Sequence, residues 1–397
     1  MAVSSGLVTP ALVASLAERL DDMTVQLSDL VGYESPSEDP GLLAACAERV
    51  AEMGTRLLGA GPQVVEVGGR RHLAWRFGPA PEVVLIGHYD TVWPAGTIGR
   101  WPFSVDDGGR ATGPGVFDMK AGIVQMFHAL AMLPLSDLAT GSGGVAVVLT
   151  ADEELGSQTS RRLIEDTARG ARAALVLEPS MHGALKVARK GTSMYQVHAV
   201  GRSAHAGLEP ENGINATIEL AHQVLAVAEL GRPDRGTTVT PTVVTAGTTT
   251  NTVPAAAVLH VDGRAEDPTE QERVDAAMRR LTPVLAGSEL RIEGGINRPP
   301  LNATFSEQLM RMAVDVAGRL GLEPLRGVAV GGGSDGNFTA GIGVPTLDGL
   351  GAVGEGAHAE GEYTRLSAMP ERAALLAGLV AELLHLTAQP DWTAGSA

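Results

Sequence analysis

The apolar positions of the chain fall into distinct textures that change near Lys190. Over residues 10–30 they recur at helical spacing, as Leu12, Val13, Leu16, Leu20, Met23, Leu27 and Leu30, and a second helix is predicted over 41–58. Between them Tyr33-Glu34-Ser35-Pro36-Ser37-Glu38 is loop chemistry. Strands follow at 64–67, 72–77 and 82–87, then a turn-rich loop over 93–115 and a helix over 120–133. The run Val147-Val148-Leu149-Thr150 reads as a buried strand that stops on Asp152-Glu153-Glu154, and a helix near 160–167 follows. The strand over 173–177 then ends on Glu178-Pro179, as the strand over 82–87 ends on His88-Tyr89-Asp90. Buried strands that each deliver carboxylate or imidazole at the C-terminal end, with helices between them, predict an α/β sheet whose site lies along those ends.

Beyond Lys190 the order is a strand over 192–200, a helix over 213–230, strands over 237–245 and 255–264, a helix over 269–285 and a strand over 290–294. This β-α-β-β-α-β series matches the split βαβ, ferredoxin-like sandwich. It is read as a domain over 191–297 inserted into one formed by 1–190 and 298–397. The outer domain resumes with a helix over 306–320, a strand near 328–330, the loop Gly331-Gly332-Gly333-Ser334-Asp335-Gly336 and a strand near 344–347. A loop carrying His358 and a helix over 370–386 close it, and 391–397 are expected to fray.

Length and composition narrow the class. With 397 residues, two domains are the default, and because aromatics make up only 4%, Ala, Val and Leu must fill the cores. A formal net charge of −16 argues against nucleic acid or anionic membrane as partner. Cys46 is the only cysteine, so no intrachain disulfide forms, and its helical surroundings place it in the core. No stretch approaches 18 uninterrupted apolar residues and the first twenty lack a signal-peptide pattern, so a soluble, cytoplasmic protein is expected.

The acidic end at Asp152-Glu153-Glu154 is by itself weak, because such a strand-to-helix turn is usually a solvated helix cap. Like charges packed together also call for a cation, and the other strand ends supply more donors of the kind metals take. In chain order the pieces are His88-Tyr89-Asp90-Thr91-Val92, Gly113-Pro114-Gly115-Val116-Phe117-Asp118-Met119-Lys120-Ala121-Gly122, Asp152-Glu153-Glu154-Leu155-Gly156, Glu178-Pro179, Gly201-Arg202-Ser203-Ala204-His205-Ala206-Gly207 and Gly356-Ala357-His358. Taken together, they resemble the M20 family of metallopeptidases and deacylases over nearly the whole chain, most closely its glutamate carboxypeptidases of the carboxypeptidase G2 type.

The resemblance implies a zinc-peptidase-like catalytic domain, a mixed sheet flanked by helices, with an inserted ferredoxin-like dimerisation and lid domain. It implies two Zn²⁺ per subunit, with Co²⁺ or Mn²⁺ as substitutes, since imidazole and carboxylate suit all three. Asp118 would bridge the pair, His88 and Glu178 would complete one shell, and Glu154 and His358 the other. Two such ions about 3.5–4 Å apart acidify a shared water and polarise the scissile carbonyl. Glu153 would carry the proton from that water to the leaving amine, and Asp90 would fix the His88 tautomer. A cis peptide is implied at Asp118-Met119, and His205 would reach the partner subunit's site in a homodimer to stabilise the oxyanion.

For substrate recognition the resemblance points to Arg298 for the free α-carboxylate and Asn251 for a carbonyl or carboxylate. Gly332 and Gly333 are assigned main-chain contacts, and Lys186 the side-chain carboxylate, with Arg189 and Lys190 as alternatives. The implied reaction is cleavage of the amide to a C-terminal amino acid, glutamate above all, in an N-acyl amino acid or peptide. A deacylase of the acetylornithine or succinyl-diaminopimelate type is the alternative, and a non-catalytic binding relative the alternative of another class. The other histidines receive no role: His128, His222 and His385 fall in predicted helices, His198 and His260 in strands, while His72 and His182 are expected to be exposed. No Gly-Lys-Ser/Thr follows the glycine-rich loop, which excludes a Walker-type phosphate loop.

Overall fold

The computed structural model describes residues 7–135, 138 and 143–385, so the end of the closing helix at Leu386 and the frayed segment predicted over 391–397 lie outside it. The chain forms two compact units. The first takes in the chain up to Ala188, Ala303–Val330 and the chain from Ser334, and the second is Arg189–Asn302 with Gly331–Gly333. The second unit therefore begins two residues before and ends five after the 191–297 read from the sequence, and it also holds the tip of the glycine-rich loop.

In the first unit a six-stranded sheet has the spatial order Gln63–Val67, Arg70–Phe77, Gly144–Thr150, Pro81–His88, Ala173–Val176, Thr346–Leu347. The last four run parallel, and the first two pair antiparallel at one edge. The Gly144–Thr150 strand is buried along its whole length, which is why its sequence runs apolar without alternation. Register sets His88 beside Thr150 and Ile86 beside Val176, so the three chains leave the sheet at one edge with His88, Glu153 and Glu178 close behind. One face is covered by helices that include Ala121–Leu130, of which all ten residues are buried.

A second, small sheet decides where two further site residues go. Ser104–Val105, Arg110–Thr112, Tyr363–Arg365 and Gly354–Glu355 form four short antiparallel strands, inside what the sequence shows only as turn-rich loops. Tyr363 pairs with Thr112, so the turn leading to Asp118 and the loop carrying His358 start from neighbouring strands. Gly115, at φ 71°, opens the Asp118 turn, and a Cβ there would lie 2.5 Å from the Thr91 methyl group. The position therefore requires glycine on both counts.

The second unit is a four-stranded antiparallel sheet in the order Thr238–Ala246, Ala256–Ala265, Gly191–Val200, Glu289–Arg298, the arrangement of a ferredoxin-like fold. Helices Ala216–Ala228 and Pro268–Arg279 contribute Leu220, Val227, Val274 and Met278 to a core with Tyr195, Val197, Leu259 and Val261. The second helix stops at Arg279, short of the predicted 285, and the chain continues through Pro283. Proline removes a helix donor and disfavours helical backbone before it, which ends the element early.

Candidate active site

The residues that the sequence singles out in the first unit meet at one edge of its sheet. His88 Nε2 lies 3.3 Å from Asp118 Oδ1 and 3.3 Å from Glu178 Oε1. His358 Nε2 lies 3.5 Å from Asp118 Oδ2 and 3.1 Å from Glu154. Asp118 thus turns one carboxylate oxygen to each imidazole. Ligand atoms of His88, Asp118 and Glu154 fall within 4.8 Å of one another, as do those of His88, Glu153 and Glu178. The Asp118-Met119 peptide bond is cis, as the resemblance implies.

Electrostatics show what this cluster asks for. Hydrogen bonds with Asp118 and Glu154 push the His358 imidazole up to about 11. At His88 burial works against protonation, yet hydrogen bonds with Asp118, Asp90 and Glu178 hold the ring well above the usual histidine range. Burial raises the pKa of Asp118, but hydrogen bonds with His358 and His88 outweigh it and keep the carboxyl well below the usual carboxylate range. The carboxylates draw positive charge onto the two rings, and divalent cations answer the same demand. Two imidazoles and three carboxylates converging from separate segments are a donor set that suits zinc, cobalt or manganese.

Asp90 ties the site together. It is fully buried, and its carboxylate accepts the Glu153 and Glu154 N–H groups, each at 3.2 Å, and the Ser37 hydroxyl at 2.7 Å. The nearest acceptor for His88 Nδ1 is the Asp90 main-chain carbonyl at 3.0 Å, with Oδ1 at 3.4 Å. Both contacts leave His88 Nε2 facing Asp118 and Glu178. One residue therefore aims the imidazole and also pins the backbone of the acidic turn. Ser37 lies in the loop before the second predicted helix, where no local pattern marks it as part of a site.

Behind the acidic turn lies a buried network that the sequence reading misses. Asp152 accepts the Thr159 N–H and hydroxyl at 2.6 and 2.7 Å and the Ser160 hydroxyl at 2.6 Å. His72, expected to be exposed, is instead fully buried: Nε2 meets the Thr159 hydroxyl at 2.9 Å and Nδ1 accepts the Ala151 N–H at 3.3 Å. A short, polar-flanked strand hides that burial from periodicity alone. Asp335 reaches the same turn from the glycine-rich loop, accepting the Thr150 hydroxyl at 3.0 Å and the Ser157 hydroxyl.

Lys186 Nζ stands 3.8 Å from Glu178 Oε2, which sets a cation beside the cluster. Its rival Lys190 is committed elsewhere, donating to the Gly236 carbonyl and pairing with Glu266 at 3.3 Å. In the second unit Arg189 Nη1 donates to the Gly332 and Gly333 carbonyls at 3.0 and 3.2 Å, and so fixes the loop assigned main-chain contacts. Arg298, at the end of its strand, is 6% exposed, and its carbonyl accepts from Gln271. His205 and Asn251 are exposed neighbours on adjoining loops, joined by the Ala206 N–H to the Asn251 carbonyl at 2.9 Å. His205 Nδ1 accepts the Gly207 and Leu208 N–H groups, both at 3.1 Å, which places the proton of the neutral ring on Nε2.

Comparison with known proteins gives the same direction. Residues 84–382 match Peptidase family M20/M25/M40. Carboxypeptidase G2 of Pseudomonas sp. (strain RS-16) is 32% identical over 314 residues, covering 76% of this chain and 74% of that protein. Succinyl-diaminopimelate desuccinylase of Methylorubrum populi is 29% identical over 325 residues, covering 76% and 83%. The M20 family metallo-carboxypeptidase Sso-CP2 from Sulfolobus solfataricus has the same fold, with a TM-score of 0.69 over 92% of this chain and 99% of that one at 17% identity. With the family match spanning three quarters of its length, the chain belongs to Peptidase family M20/M25/M40 and is a hydrolytic enzyme of that metal-dependent group.

Proposed function

We propose that this protein is a dizinc exopeptidase or amidohydrolase that cleaves the amide to a C-terminal amino acid bearing a free α-carboxylate, with glutamate the favoured leaving group. The observation that carries this reading is the convergence of His88, Asp118, Glu154, Glu178 and His358, with Glu153 inside the same cluster. Asp118 sits between the two imidazoles, so it is assigned the bridging position, His88 and Glu178 one shell, and Glu154 and His358 the other. When bound, the cations supply Lewis acidity, acidifying a water and polarising the scissile carbonyl.

The chain's own residues do the rest. Glu153 takes the proton of the attacking water and returns it to the departing amine, and Asp90 holds the Glu153 main chain where that carboxylate is needed. His205 presents an Nε2–H for the developing oxyanion, in this reading to the active site of a second subunit. Arg298, Asn251 and the Gly332–Gly333 main chain are assigned to the α-carboxylate and acyl carbonyl. Lys186, beside Glu178, is assigned to the leaving residue's side-chain carboxylate. The likeness to carboxypeptidase G2 supports an amino-acid leaving group.

A homodimer through the inserted unit is part of the same proposal. The edge strand Thr238–Ala246 exposes Val243 and Val244, and the adjacent helix exposes Ile218 and Leu225, an apolar surface of the kind a partner covers. Among the described residues no helix is long and apolar enough to cross a membrane.

The desuccinylase likeness favours a second reading, removal of a small acyl group from an amino acid by the same cluster. Release of free amino acid from N-acyl-glutamates, acetylornithine, succinyl-diaminopimelate and dipeptides separates the two. The proposal expects the N-acyl-glutamates to show the highest kcat/KM. Preference for succinyl-diaminopimelate would establish the second reading, and no release across the panel would contradict both.

A further inference from the structure

One buried carboxylate close to the site takes no part in the chemistry above. His358 sits on a loop whose residues 355–361 are all exposed, and the run ends abruptly at Glu362, which is fully buried. His358 itself is held at φ 64° with its side chain 53% exposed, and its ring contacts the Asp118 and Glu154 carboxylates. Inside the loop the Ala359 N–H donates to the Gly356 carbonyl and the Glu362 N–H to the Ala359 carbonyl, while Arg100 and Glu360 form an exposed pair. Gly356, at φ 89°, lets the loop fold back tightly, since a Cβ there would lie 2.9 Å from the Glu362 Cα. The loop is thus a closed turn that leaves buried, strand-paired chain at Gly354 and re-enters it at Glu362.

The surroundings of Glu362 are specific. Glu362 immediately precedes Tyr363, which pairs with Thr112 at the start of the segment leading to Asp118. Its carboxylate faces the main-chain N–H groups of Phe117, Gly115 and Val116, the turn that presents Asp118, close enough for electrostatic attraction but outside full hydrogen-bond geometry. The buried Lys120 ammonium, 1% exposed, adds a favourable charge interaction and donates to the Tyr33 carbonyl at 2.8 Å. Burial and the nearby Asp118 charge push the Glu362 carboxyl up to about 8. A carboxylate held in such surroundings is costly unless the groups around it need it there.

We propose that Glu362 is a positioning residue that fastens the His358 loop to the Asp118 turn and so sets the spacing of the donors for the second cation, the one assigned to Glu154 and His358. This rests on the two-cation reading given above. The cation assigned to His88 and Glu178 should depend on Glu362 less, through the shared Asp118 alone, because its other two donors are held by the main sheet and by Asp90.

The test is a Zn²⁺ titration of the purified full chain, stripped of metal, followed calorimetrically and with a competing chelator. The native chain is expected to bind two ions. Glu362→Ala should bind the second ion about 10–100-fold more weakly, the usual range for a lost supporting contact, and lose clearly less affinity for the first. Glu362→Gln, which keeps an acceptor oxygen and the shape, should stay within about threefold. Excess Zn²⁺ should restore the kcat of Glu362→Ala with KM unchanged, which it would not do for a chain that had merely lost its fold. Should Glu362→Ala fail to fold, Glu362→Asp, shorter by one methylene, carries the same expectation of a weakened second site. Variants that bind both ions as tightly as the native chain would overturn the positioning role alone, whereas a native chain that binds fewer than two would overturn the two-cation reading and this inference with it.

Discussion

At the scale of single residues the site divides its labour between groups that meet substrate and groups that hold those groups still. In the proposed function Glu153 belongs to the first kind, and its main chain is held through its own N–H by Asp90. Glu153→Gln keeps the side chain's size and removes its basicity. It is expected to lower kcat by about 10²–10⁴ while leaving bound metal near native content, as measured by turnover and elemental analysis on one preparation. Retained activity in that variant would show that another group moves the proton. The convergence of the candidate ligands with Glu153 and the cis peptide was legible from the sequence because these residues sit in short motifs at the ends of apolar runs. Ser37, His72 and Glu362 were not, because what gives each its place is a partner 53, 87 or about 250 residues away in the chain, and no periodicity records such a pairing.

At the scale of elements, two kinds of sheet do different work. The parallel strands of the main sheet were readable as uninterrupted apolar runs, and their common direction follows from alternation with helices. The four short strands that bring Asp118 and His358 together were not readable, since pieces of two or three residues carry too little pattern. In the inserted unit, the exposed helix Ala216–Ala228 and edge strand Thr238–Ala246 are where association is expected. Leu225→Glu combined with Val244→Lys replaces side chains that are 67% and 55% exposed, so the monomer fold should survive. Sedimentation should then show a monomer in place of a dimer, with kcat reduced because His205 no longer reaches a second site. A second check mixes inactive Glu153→Gln chains with inactive His205→Ala chains. Mixed dimers should regain activity if His205 works across the interface, and should remain inactive if it serves its own subunit.

At the scale of the whole molecule, a chain of net charge −16 gathers the carboxylates of Asp118, Glu153, Glu154 and Glu178 with two imidazoles at one sheet edge. The same negative balance that disfavours polyanionic partners makes Lys186, the cation beside Glu178, the natural candidate in the proposed function for reading an anionic substrate group. Because both imidazoles must shed a proton to take a metal, apparent cation affinity should fall as pH falls. All of this depends on a pair of divalent cations. The most direct measurement is therefore the metal content and turnover of the purified protein before and after treatment with a strong chelator, using an N-acyl-glutamate as substrate. Two divalent ions per chain, activity abolished by the chelator and recovered on adding Zn²⁺, is the predicted result. Turnover that continues unchanged in protein shown to be free of metal would contradict it.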